Sequence, residues 1–175
     1  EGSASHTFYA DAWVLTNANG LEATPPQWIP LPSAPVTRSL HAQEYDPLSN
    51  TLIVFGGYAG WGQPARDDVW ILTHANGLGG TPAWTQLSPI GTIPARAAMG
   101  SAYDPGSNRL IVYSGGSETI AVFTDLWVLS NANGLGGTPQ WTSPSTMGGQ
   151  PPGRSEFRMV YDARTKRAVV FGGGG

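Results

Sequence analysis

Short apolar runs alternate with polar, turn-rich segments along the whole chain. Thr51–Phe55, Leu110–Tyr113 and Ala168–Phe171 are β-branched or aromatic stretches of strand length. Asp11–Leu15, Asp68–Leu72 and Asp125–Leu129 pair an acidic start and a tryptophan with aliphatic residues. Weaker runs precede or follow them: Ser39–Tyr45 and Ala97–Tyr103, then Gln27–Leu31, Ala83–Leu87 and Gln140–Ser143. The intervening residues are turn formers. Asp46-Pro47-Leu48-Ser49-Asn50 and Asp104-Pro105-Gly106-Ser107-Asn108 predict tight hairpin turns, and the tract Asn-Ala-Asn-Gly-Leu-Gly-Gly-Thr-Pro predicts a longer connection. No window sustains a 3.6-residue apolar period, so the pattern predicts strands and no long helix.

The runs recur at a fixed period. Trp13, Trp70 and Trp127 lie 57 residues apart, and Trp28, Trp84 and Trp141 follow at nearly the same interval. Arg38, Arg96 and Arg154 keep a spacing of 58, as do Tyr45, Tyr103 and Tyr161, each followed by Asp. Glycine pairs end the second run of each period: Gly56-Gly57, Gly115-Gly116 and Gly172-Gly173, with Ser114 preceding the middle pair. Each period therefore holds four strands: one after the arginine, one ending at the glycine pair, one carrying Asp-x-Trp and a short fourth with the second tryptophan.

Composition narrows the function. The 175 residues include 24 glycines and 15 prolines, and charged residues make up only 12%. The repeat accounts for the glycine and proline excess as turn chemistry. A net charge of −3 with nine basic residues leaves no footprint for nucleic acid or an anionic membrane. With no cysteine, disulfides, thiolate metal sites and cysteine nucleophiles are excluded. A hydrophobic share of 40% with 10% aromatics suffices for a core. No apolar run approaches membrane-spanning length. No compartment follows from the sequence, although a secreted bacterial origin fits it.

Four short strands per repeat, with arginine opening the first, a glycine pair ending the second and tryptophans in the third and fourth, resemble kelch-type β-propeller blades over nearly the whole chain. The resemblance implies an all-β fold and says little about activity, because such propellers include binding scaffolds, adaptors and an oxidase similar to galactose oxidase. The copper site of that oxidase needs a tyrosine cross-linked to cysteine, which is absent. The register is permuted. Residues 1–31 supply two outer strands, 32–89 and 90–146 each supply a full blade, and 147–175 supply two inner strands. Three blades cannot close a ring that needs about four to eight. A homodimer closing six blades is the expected assembly, each junction blade taking inner strands from one chain and outer strands from the other. A fragment of a longer propeller is the alternative.

Departures from the repeat mark the candidate site. Six of the seven tryptophans obey the period; Trp61, in Tyr58-Ala59-Gly60-Trp61-Gly62-Gln63-Pro64, does not. The resemblance implies that the loops after the second and fourth strands share one face. There, Trp61, Tyr58 and Arg66 suit a glycan or a protein segment. Trp61 also reads as a plug at the dimer seam or as packing on a neighbouring blade. The counterpart loops are Ser117-Glu118-Thr119-Ile120 and, split between two chains, Gly174-Gly175 with Glu1–Tyr9, including His6. Arg38, Arg96 and Arg154 would either ring the channel mouth for anions or bond backbone carbonyls of the adjacent blade. Ser39 and Ser155 follow two of them as candidate ligand-facing hydroxyls. His41, Met99 and Phe157 share one position, which reads as a packing slot. Asp11, Asp68 and Asp125 are expected to orient loop amides. Three histidines without metal spacing, and no nucleophile–base pair, predict a non-catalytic chain with no cofactor and no metal. A purely structural half-propeller without a ligand is the competing reading, since the repeats are nearly identical.

Overall fold

The computed structural model describes residues 7–175. All regular structure among them is β, and strands pair antiparallel only with sequence neighbours, in four separate sheets. Strands β1 (Ala12–Leu15) and β2 (Trp28–Leu31) form a two-stranded ribbon. Strands β3 (Ala42–Asp46), β4 (Thr51–Phe55), β5 (Val69–Thr73) and β6 (Ala83–Leu87) form a four-stranded meander. A second follows from β7 (Gly100–Asp104), β8 (Arg109–Tyr113), β9 (Leu126–Ser130) and β10 (Gln140–Thr142). A hairpin of β11 (Arg158–Asp162) and β12 (Arg167–Phe171) ends the chain.

The hairpin turns form because an aspartate organises each one. Asp46 Oδ1 accepts the Leu48 amide and Oδ2 accepts the Ser49 hydroxyl; Asp104 treats Gly106 and Ser107 in the same way. Asn50 and Asn108 then take left-handed backbone angles, which asparagine tolerates. Their side-chain amides reach across to the Asn-Gly tracts: Asn50 donates to the Leu78 carbonyl and Asn108 to that of Leu135, each at 2.9 Å. The longer connection between third and fourth strands is thereby fastened to the hairpin turn of its own sheet.

Each first strand is shorter than the apolar pattern predicts. Ladder pairing begins only at Ala42 and Gly100, because Leu40, Ala98 and Glu156 adopt φ of 53°, 55° and 57°. The kink turns a backbone amide toward the preceding unit. Ala98 N donates to Leu40 O at 2.7 Å, and Glu156 N donates to Ala98 O at 2.9 Å. These bonds bring β7 between β3 and β11.

Side-chain alternation then gives each sheet two apolar faces. Ile53, Phe55, Val69 and Ile71 of the first meander pack against Leu110, Val112, Leu129 and Trp141 of the second. The opposite face of the second meander, with Ala102 and Tyr113, packs on Phe157 and Met159 beside the last hairpin. The glycine two residues past each second strand lets it lie close against the residue that precedes the first strand of the same sheet. A Cβ on Gly57 (φ +86°) would stand 2.8 Å from His41 Cβ, and one on Gly115 (φ +83°) 2.8 Å from Met99 Cβ. The tryptophans are not equally buried. Trp141 is fully covered, Trp70, Trp84 and Trp127 are half-buried, and Trp13 and Trp28 are 51% and 62% exposed. The last two lie on the end ribbon, which has only one sheet beside it.

Candidate ligand-binding site

The aspartate that opens each third strand works on side chains, not on loop amides. Asp68 receives both terminal nitrogens of Arg38, at 2.8 and 2.7 Å, and the indole N–H of Trp70 at 2.9 Å. Arg66 adds a second cation at 2.8 Å. Asp125 receives Arg96 at 2.7 and 2.9 Å and Trp127 at 2.7 Å. Burial alone raises these carboxyls. The hydrogen bonds from arginine and tryptophan outweigh it and hold both below the usual carboxylate range. Each arginine also donates to the carbonyl that ends the second strand of its own repeat: Arg38 to Gly56, Arg96 to Ser114 and Arg154 to Gly172. Arg96 is wholly buried and stacks on Phe123, 4.2 Å from the ring centroid. The guanidinium groups of Arg38 and Arg96 are thus engaged inside the protein.

A cavity of about 590 Å³ opens among the loops that Trp61 occupies. Tyr58, Trp61, Gln63 and Glu118 line it together with Phe8, Tyr9, Arg38 and Ser39. Trp61 is 72% exposed, and Phe8 meets it edge-on with ring centroids 6.3 Å apart. The backbone of Ser39 exchanges hydrogen bonds with that of Tyr58, 2.9 Å in each direction, which ties the arginine loop to the Trp61 loop. Glu118 reaches over from the next repeat and accepts the Ala65 amide at 2.9 Å. That bond lowers the Glu118 carboxyl, while burial, with the Glu118 charge beside it, raises the Tyr58 phenol. The site therefore combines an aromatic wall with one fixed negative charge.

The structure brings Tyr58, Trp61, Arg38 and Ser39 together here. Arg66 points instead to Asp68, and Arg96, Arg154 and Ser155 lie elsewhere. Ser155 pairs through its backbone with Gly174, the counterpart of the Ser39–Tyr58 bridge. Phe8, Tyr9 and Glu118 join the site through tertiary contact and carry no periodic signal of their own. Glu1 and His6, assigned by sequence to a counterpart loop, lie outside the described residues. Among the described residues no cluster of three or more histidines, aspartates or glutamates could hold a metal ion. No protein-family model matches the chain, and no curated protein matches it.

Proposed function

We propose that the chain is half of a kelch-type β-propeller and serves as a non-catalytic binding scaffold that two copies close into a six-bladed ring. The observation that carries this reading is the repeated step between units. The same kink, the same bond between first strands and the same glycine amide donated to the next arginine's carbonyl, Gly57 to Arg96 and Gly115 to Arg154, relate β3 to β7 and β7 to β11. Units joined by one repeated step around a shared row of first strands build an arc, and the described units leave apolar side chains open at both ends, Trp13 and Trp28 at one and Val169 and Phe171 at the other.

The binding face in this reading is the cavity beside Trp61. An exposed indole braced by Phe8, with Gln63 and Glu118 as polar neighbours, suits a glycan ring or an aromatic protein segment. A glycan array and a pull-down, each run with wild type and Trp61→Ala, test it. The scaffold reading expects ligands that wild type retains and the variant loses. Equal binding by both proteins rejects the site. The regularity of the asparagine fastenings favours a second reading, a structural half-propeller with no dedicated ligand, and absence of any wild-type ligand would support it.

A further inference from the structure

The two ends of the chain carry the separated halves of one repeat unit. In both complete sheets the second strand pairs with the third, Phe55 opposite Val69 and Tyr113 opposite Leu126. At the ends this pairing is missing among the described residues. β12 has β11 on one side only, and β1 has only β2. The arginine–aspartate–tryptophan unit is divided at the same place. Arg154 grips the Gly172 carbonyl at 3.1 Å as its counterparts grip theirs, yet it meets no carboxylate among the described residues. Asp11 accepts the Trp13 indole at 2.6 Å, as Asp68 and Asp125 accept theirs, and meets no arginine among the described residues.

The apolar surfaces are divided too. Phe55 rests on Trp141, with ring centroids 5.0 Å apart. Its counterpart Phe171 is 82% exposed, and Val169 beside it is 58% exposed. The counterpart of Trp141 is Trp84, which lines a cavity of about 450 Å³ between the β1–β2 ribbon and the first meander, with Val54, Trp70, Leu72 and His41. A Cβ on Gly56 would stand 2.5 Å from the Arg96 carbonyl of the next unit, whereas one on Gly172 meets nothing within 4 Å. The Leu40 amide and the Glu156 carbonyl are the two ends of the chain of bonds that links successive first strands.

Resting on the ring reading above, we propose that this cavity is the seat of the β11–β12 hairpin of a second copy. In that seat β12 pairs with β1 of the other chain, Phe171 opposite Ala12, Val170 opposite Trp13 and Val169 opposite Val14. Phe171 enters the cavity against Trp84, and Arg154 takes Asp11 of the second copy in the two-pronged geometry of Arg96 and Asp125. The two-fold axis repeats the junction, so one dimer holds two such latches. The occupant is a second copy because the complementary charge, strand edge and aromatic side chain all lie at the other end of this same sequence.

The test uses Arg154→Asp and Asp11→Arg, separately and mixed, with mass read by light scattering and dissociation by analytical ultracentrifugation. Wild type is expected at twice 18.4 kDa. Each single variant places like charges at both junctions and should raise the dissociation constant about 100-fold or more. An equimolar mixture of the two should recover dimers, because a heterodimer has one wild-type junction and one with the charges exchanged. Phe171→Asp, at a position exposed in the single chain, should also yield folded monomer by circular dichroism. Wild-type dimers in which all three variants associate normally overturn the latch and leave the ring reading standing. Single variants that dissociate without recovery in the mixture overturn the Arg154–Asp11 pairing. A folded wild-type monomer overturns both the ring and the latch.

Discussion

Arg96→Ala is the sharpest test of what fastens the second meander to the loop that opens it. The guanidinium is wholly buried and makes four hydrogen bonds: to the carbonyls of Pro94 at 3.1 Å and Ser114 at 3.0 Å, and to the two oxygens of Asp125 at 2.7 and 2.9 Å. It also stacks on Phe123. Removing one partner of a buried pair costs about 3–5 kcal/mol, chiefly because the other charge stays desolvated. Asp125 is 31% exposed in its side chain and keeps the Trp127 indole, so it regains some water. The two orphaned carbonyls and the cavity left by the side chain add to the cost. The expected loss is about 4 kcal/mol, a large part of the 5–15 kcal/mol typical of a domain. Urea unfolding followed by tryptophan fluorescence measures it, at one fixed protein concentration because association shifts apparent stability. Asp125→Asn and the double variant complete a cycle, and their effects should fall well short of additive. A loss below about 1 kcal/mol with an unchanged urea dependence would refute the claim that this buried pair is a principal fastening of the fold.

Further outcomes follow from the same geometry. Gly115→Ala should destabilise by about 2–3 kcal/mol, because the new Cβ falls 2.7 Å from the Ala97 carbonyl and 2.8 Å from Met99 Cβ at a left-handed φ; Gly20→Ala, left-handed but with open space around it, should cost about 1 kcal/mol, and equal losses in thermal melts would contradict the packing argument. Asp68 and Asp125 titrate below their ordinary value when folded, so the stability they contribute is complete above about pH 4 and is lost as acid protonates them below it. A urea midpoint that stays level between about pH 4 and pH 2 would contradict that assignment. Lys166 occupies the left-handed turn position held elsewhere by Asn50 and Asn108 and lacks their reach to an Asn-Gly tract. In the proposed dimer, Lys166→Asn should relieve the turn and supply a bond across the junction to the Leu21 carbonyl of the second copy, tightening association about five-fold; sedimentation-based dissociation constants that rise instead would count against the proposed junction register.

The sequence alone was enough for the strands, the turns and their order. Apolar β-branched runs and Asp/Asn/Gly turns are local properties, and β4, β5 and β12 stand within a residue of the runs that announce them. The repeat also singled out Trp61 as a residue outside the structural pattern. Three things needed the tertiary structure. The left-handed kinks at Leu40, Ala98 and Glu156 carry no glycine or asparagine to reveal them, since the bond to a neighbouring unit holds them there. The partners of Arg38 and Arg96 lie 30 and 29 residues away, and which side chain an aspartate selects depends on how the sheet folds back on itself. The cavity at Trp61 draws Phe8 and Glu118 from opposite sides along the chain. Periodicity along a sequence fixes how each strand presents its faces; only packing in three dimensions decides which faces meet and which are left for another molecule.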